Sequence, residues 1–252
     1  MKPVLFLILL SVSFCLGAGT STPIRVNDND WPPYFFGGQE GAPKGIAKEL
    51  LQHCLDKTEF EFKFSFYPIN RMHRYMETGE LDINIYSFTQ ARTEFLVYGK
   101  EPLFTAGYRP FVRKGEVKQI ESINDFDALL LGHLHGLRYS DDFRQYIEAR
   151  RENGQLVIAS DTKSLLNLLV HKRIDVFVSI TDTVWWEAKS NNLTGKIKFL
   201  DFDVKTSEYF VTLSKRSTRV KDKTRFMSNF DRCIKSAKES GLHQAILKKY
   251  KF

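Results

Sequence analysis

The stretch at residues 67–102, YPINRMHRYMETGELDINIYSFTQARTEFLVYGKEP, decides how the chain folds. Asn70 is placed to cap a short helix whose apolar positions Met72, Tyr75 and Met76 share one side, and Gly79 supplies the left-handed residue that ends it. Leu81, Ile83 and Ile85 then alternate with Asp82, Asn84 and Tyr86, which predicts a strand running straight into Ser87, Phe88 and Thr89. Arg92 follows three residues on. A parallel strand brings its C-terminal end to the crevice where open α/β sheets take ligands. Here it brings two hydroxyls, two aromatic rings and a guanidinium. In a partly dry cleft a planar guanidinium suits a carboxylate, because its fork donates two parallel charge-assisted hydrogen bonds. On the first turn of a surface helix the same arginine would only face water.

Upstream, the pattern continues as strand and helix. Residues 24–26 read as a short strand ending in the polar NDND, and Trp31-Pro32-Pro33-Tyr34 as an extended aromatic turn, since a residue before proline avoids the helical region. Ile46, Leu50, Leu51, Cys54 and Leu55 fall on one face of a helix over residues 45–57. Phe60, Phe62, Phe64 and Phe66 alternate with Glu61, Lys63 and Ser65 in a half-buried strand, completing a βαβαβ unit.

Downstream, residues 108–112 read as a strand leaving this unit, and a second α/β unit follows. Its strands are expected at 128–134, 156–159, 174–179 and 197–200, and its helices near 140–152, 162–171 and 182–190. Gly79-Glu80-Leu81-Asp82-Ile83 is echoed by Lys172-Arg173-Ile174-Asp175-Val176, each with aspartate second in a strand, so two similar lobes are expected. A strand at 209–213 and two helices, the first marked by Val220, Phe226, Phe230, Cys233 and Ala237, close the chain.

At the start, Lys2 and an apolar run over residues 3–16 precede the small residues Gly17, Ala18 and Gly19, the pattern of a secretory signal peptide over residues 1–18. The run falls short of the roughly 20 residues of a membrane helix. The net charge of +7 is spread over scattered lysines and arginines, which argues for a solvated surface rather than a nucleic-acid interface. Cys15 leaves with the signal, so Cys54 and Cys233 remain, either as a disulfide or as two separately buried thiols. His133 and His135 could share a strand face, but no third ligand is in reach, and neither a metal nor a cofactor is expected.

The order and spacing of WPPYFF, GAPKGIAKELLQHC, YPINRMHRYMETGELDINIYS, TQARTEFLVYGKEPLF, YRPFVRKG, HKRIDVFVS and YFVTLSKRS resembles the extracytoplasmic solute-binding proteins of the polar amino acid transport type. The resemblance implies an α/β, type II periplasmic-binding-protein fold: two Rossmann-like lobes joined by two crossing strands, near residues 105–112 and 202–210. One lobe would comprise residues 22–107 plus 206–252 and the other 110–202. By the same resemblance Arg92 matches the arginine that clamps a ligand carboxylate, with Tyr86, Ser87 and Thr89 beside it. Trp31 matches an aromatic that stacks on the ligand, Tyr34 belongs to the same turn, and Asp28 lies where an early acid touches an ammonium group. Arg71 matches the arginine of a subset with a PxxR pattern. The second lobe departs from the pattern: Ser179 and Ile180 stand where amino-acid binders place an aspartate, and Asp182 comes two residues late. The implied protein is a periplasmic monomer that captures a small polar or anionic solute for an ABC permease. Two other functions fit the same fold. One is an exported lyase of the cyclohexadienyl dehydratase type, needing Glu94 or Asp182 as general acid; the other is a sensor input for a signalling partner.

Overall fold

Residues 22–107 lay down β1 (Ile24–Asn27), the short β2 (Asp30–Trp31) and β3 (Phe35–Phe36), α1 (Ile46–Leu55), β4 (Phe62–Ser65), α2 (Ile69–Thr78) and β5 (Ile83–Ser87). A 3-10 turn over Gln90–Glu94 then leads into the long β6 (Leu96–Arg113). This computed structural model describes residues 22–38, 40–41, 44–116, 119–137 and 139–250, so the expected signal peptide lies outside the described residues. The chain continues through a 3-10 turn (Ile123–Phe126), β7 (Leu131–Leu134), α3 (Asp141–Glu152), β8 (Leu156–Ala159), α4 (Thr162–Val170), β9 (Val176–Ile180) and α5 (Thr181–Ser190). It ends with β10 (Ile197–Phe199), β11 (Lys205–Ser214), α6 (Lys223–Glu239) and α7 (Leu242–Tyr250).

The main sheet runs in the order β4-β1-β5-β11-β6-β9-β7-β8, with β10 also on β6. β1 pairs in parallel with β4 and β5, and β7 in parallel with β8 and β9, so each group keeps the βαβ character that the alternating pattern predicts. Between the groups run the two antiparallel strands β6 and β11. β6 pairs with β11 along residues 96–108 and with β9 from residue 108 to residue 111, so a single strand carries the chain across. The sequence marked only its last part, residues 108–112. Pro102 hid the rest, because it has no N–H to give a ladder. The register opposite it shifts between Tyr209 and Phe210 and again between Phe210 and Thr212, and this irregularity lets the strand run through the proline.

Three local expectations are corrected. α2 begins at Ile69 with Pro68 at its N-cap, whose carbonyl accepts the Met72 N–H at 2.9 Å; Asn70 lies inside the first turn. An extended proline suits that place, since a helix start has no use for its missing donor. The phenylalanine strand spans only β4, and Phe66 turns outward, 48% exposed. β5 is buried on both faces rather than one. Gly79 does end α2, at φ 83°, and a side chain there would strike the Arg216 carbonyl.

The buried face of α1, Ile46, Leu50, Leu51, Cys54 and Leu55, packs against α6 and α7. Cys54 and Cys233 form a disulfide there, with Cα atoms 5.8 Å apart, which decides between the two alternatives that the sequence left open. The bond closes a loop across a separation of 179 residues. Its reduction should lower the unfolding free energy by about 2–4 kcal/mol. Urea titrations with and without dithiothreitol test this, and coincident curves would show that the bond contributes nothing.

Candidate functional site

The site is built on the face where β6 and β11 meet. Directly opposed residues of an antiparallel pair share a face. Phe104 lies opposite Tyr209, Ala106 opposite Ser207, and Tyr108 opposite Lys205. Phe104 and Tyr209 stack at 5.0 Å, and the hydroxyls of Tyr108 and Tyr209 are 3.0 Å apart. The aromatic turn covers this floor. Tyr34 stacks on Phe104 at 3.9 Å, and Trp31 meets Tyr209 at 5.0 Å and Phe104 at 5.6 Å.

From the other side comes the first turn of α5. Trp31 Nε1 donates to Thr183 Oγ1 at 3.1 Å, Tyr34 Oη donates to Asp182 Oδ2 at 2.7 Å, and Trp186 packs on Phe36 at 5.0 Å. Burial, reinforced by the Asp182 carboxylate, raises the Tyr34 phenol well above its ordinary pKa, so it remains a donor. Sequence reasoning offered Asp182 as a late-coming acid and as a general acid, and missed Thr183. The signal was their place in the first turn after a fully buried strand, β9.

Arg92 sits in the 3-10 turn beyond β5. One of its Nη atoms donates to the Ser87 carbonyl at 3.0 Å, and its guanidinium lies 4.7 Å from the Tyr86 ring centroid. Tyr86 is itself fixed, with its hydroxyl 2.8 Å from His73 Nδ1 and 2.9 Å from Met72 Sδ. Tyr98 also donates to the Ser87 carbonyl, at 3.2 Å. Thr89 is extended at the head of the turn, and its side chain makes no cap bond. Among the described residues no carboxylate pairs with Arg92. Asp28, by contrast, holds Lys48 at 2.7 Å, while its other oxygen is buried without a hydrogen-bond partner among the described residues. Arg71 is exposed on the first turn of α2. Ile69 and Phe88, which follow the C-terminal ends of the parallel strands β4 and β5, are 61% and 56% exposed. A groove of about 880 Å³ beside Cys54 and Cys233, lined by Lys57, Arg219, Arg225 and other residues, shares no residue with this face.

The two histidines do not act together. His135 is exposed, whereas His133 is 3% exposed with Nδ1 3.2 Å from Tyr139 Oη. Tyr139 Oη donates to the Val178 carbonyl at 3.1 Å, so His133 Nδ1–H is the donor to Tyr139 and Nε2 is bare. No group of three metal-ligating side chains occurs among the described residues. Burial, helped by the positive charge of Arg151, lowers the His133 pKa to about 4. The unfolded chain, with an ordinary imidazole near 6.5, therefore binds the proton that the folded chain refuses. Stability should fall as pH drops from about 6.5 towards 4, and His133→Gln should flatten that slope. Thermal unfolding at stepped pH is the check; an unchanged slope in the variant would assign it to other groups.

A family model of the bacterial extracellular solute-binding proteins, family 3, matches residues 24–252. The chain belongs to this family. A comparison with curated proteins found no matching relative. Among solved structures, the ligand-binding core of GluR0 from Nostoc punctiforme in complex with L-glutamate superposes with a TM-score of 0.69 at 18% identity, covering 90% of this chain and 99% of that one. The arginine-, lysine-, histidine-binding protein ArtJ from Geobacillus stearothermophilus gives 0.67 at 16% identity, covering 91% and 95%. A histidine kinase sensor domain with similarity to periplasmic binding proteins gives 0.70 at 18% identity, again covering 91% and 95%. At these identities the likeness is one of fold: the two-lobe fold of periplasmic binding proteins. Family members are extracellular, and among the described residues no helix is long and apolar enough to cross a membrane.

Proposed function

We propose that this family 3 protein captures a small carboxylate-bearing solute, an amino acid or a related acid, between its lobes and delivers it to an ABC permease from the periplasm. The observation that carries the reading is Arg92: a cation at the C-terminal end of β5, oriented by the Ser87 carbonyl and the Tyr86 ring, with no acid of the described chain paired to it. Residues 22–107 with 206–252 act as one lobe and 110–202 as the other. Trp31 and Tyr34 wall the site beside the ligand, and Ser87 and Thr89 offer it hydroxyls. The glutamate of the GluR0 complex and the amino acids named for ArtJ belong to the same chemical class.

Binding without catalysis fits the acids best. Glu94 is exposed, and Asp182 accepts the Tyr34 hydroxyl, so neither stands as a free general acid over the floor. The sensor domain among the similar structures favours one second reading, in which ligand occupancy is passed to a signalling partner instead of a permease. Mass spectrometry of the molecule that copurifies with the exported protein tests the proposal. A carboxylate is expected, and a bound molecule with no anionic group would overturn it. Uptake of that molecule in cells with and without the protein separates delivery from sensing.

A further inference from the structure

A second cation lies on the same face as the floor of the site. Lys205 stands opposite Tyr108, with Ser207 and Tyr209 following on the same side of β11, so its side chain is on the face that Trp31 covers. It is half-buried, and its Nζ lies 5.9 Å from the Tyr108 ring centroid. Among the described residues its ammonium makes neither a hydrogen bond nor an ion pair. The acid whose field reaches it, Asp141, is itself exposed and lies 3.7 Å from Arg144. Burial, and after it the positive charge of Arg92, lower the Lys205 pKa. Two cations near enough to oppose each other's charge, neither with an acid in contact, favour a negative group that both can reach.

We infer that the site takes a dicarboxylate, with one carboxylate on Arg92 and the other on Lys205. The inference rests on the proposed role of Arg92 and adds to it the ligand's second charge. Spacing favours two separate anionic groups over one compact phosphate. Ser87, which holds Arg92, lies opposite Tyr209, and Lys205 is four residues further along β11, about 13 Å of strand.

Calorimetric titration with succinate, glutarate, L-glutamate, L-glutamine and inorganic phosphate tests this on the intact exported protein and on Lys205→Met, Lys205→Arg and Arg92→Ala. A dicarboxylate should bind at least 10-fold tighter than glutamine or phosphate. Lys205→Met should erase most of that preference, and Lys205→Arg should retain it. Circular dichroism verifies folding, and the arginine variant guards against a merely structural effect. If glutamine or phosphate equals every dicarboxylate, or if folded Lys205→Met keeps the full preference, the inference is overturned. Arg92→Ala reports separately on the underlying role: unaltered dicarboxylate binding there would remove the anchor, whatever Lys205 does.

Discussion

Arg92→Ala should weaken binding of the carboxylate ligand by about 2–5 kcal/mol, because truncation leaves an anion in a water-poor cleft without its charged partner. The backbone around it should barely notice. The guanidinium gives one hydrogen bond to the Ser87 carbonyl, a group that Tyr98 also satisfies at 3.2 Å, so the floor stays intact in the variant. Arg92→Lys should restore only part of the affinity, since an ammonium is a point charge and cannot reproduce two parallel bonds. Calorimetry on folded protein decides the matter. Parental affinity in Arg92→Ala would place the anchor elsewhere, with the exposed Arg71 first in line.

The second large effect is on stability and lies at the opposite end of β5. Asp82 is fully buried, accepting the Arg25 backbone N–H at 2.8 Å, the Ser217 hydroxyl, and an Arg219 Nη at 3.2 Å. Asp82→Ala would strand Arg219, whose side chain is 14% exposed and whose Nε already has no hydrogen-bond partner among the described residues. Breaking a buried pair from one side typically costs about 3–5 kcal/mol. Urea unfolding should therefore show a loss of that size, while the ligand affinity of the folded fraction stays near the parent's. A loss below about 1 kcal/mol would mean that water reaches Arg219 once the acid is gone.

Much of this was legible in the residues, and the exceptions have physical causes. Helical faces were readable because α1 and α6 each pack one side on the core. β5 was harder. Its alternation suggested one polar face, yet Asp82 and Asn84 are both buried because partners elsewhere in the chain satisfy them, Asn84 by Asn27 and Asn29. The echo between Asp82 and Asp175 was visible, but not its use. Each aspartate accepts the backbone N–H at the start of the neighbouring parallel strand, Arg25 in one case and Leu130 in the other, and each holds an arginine from a distant segment, Arg219 and Arg113. A local pattern cannot announce partners more than 40 residues away. The same limit hid part of the site. Trp31, Tyr34, Arg92 and Ser87 stand out in aromatic or turn-rich stretches, whereas Lys205 and Thr183 are ordinary residues until β11 and α5 are folded against the aromatic turn.

The position of β11 between β5 and β6 bears on how the molecule reaches this state. β5 and β6 lie close in sequence but do not pair as neighbours; the gap between them is filled by residues made about a hundred positions later. Until then, both flanking strands present open hydrogen-bonding edges, which invite pairing with other chains. Closing the sheet requires contacts of large sequence separation, a slow step by topology alone. A chain halted before Lys205 would hold two unfinished half-sheets, and any fragment of this protein should be more prone to aggregate than the whole.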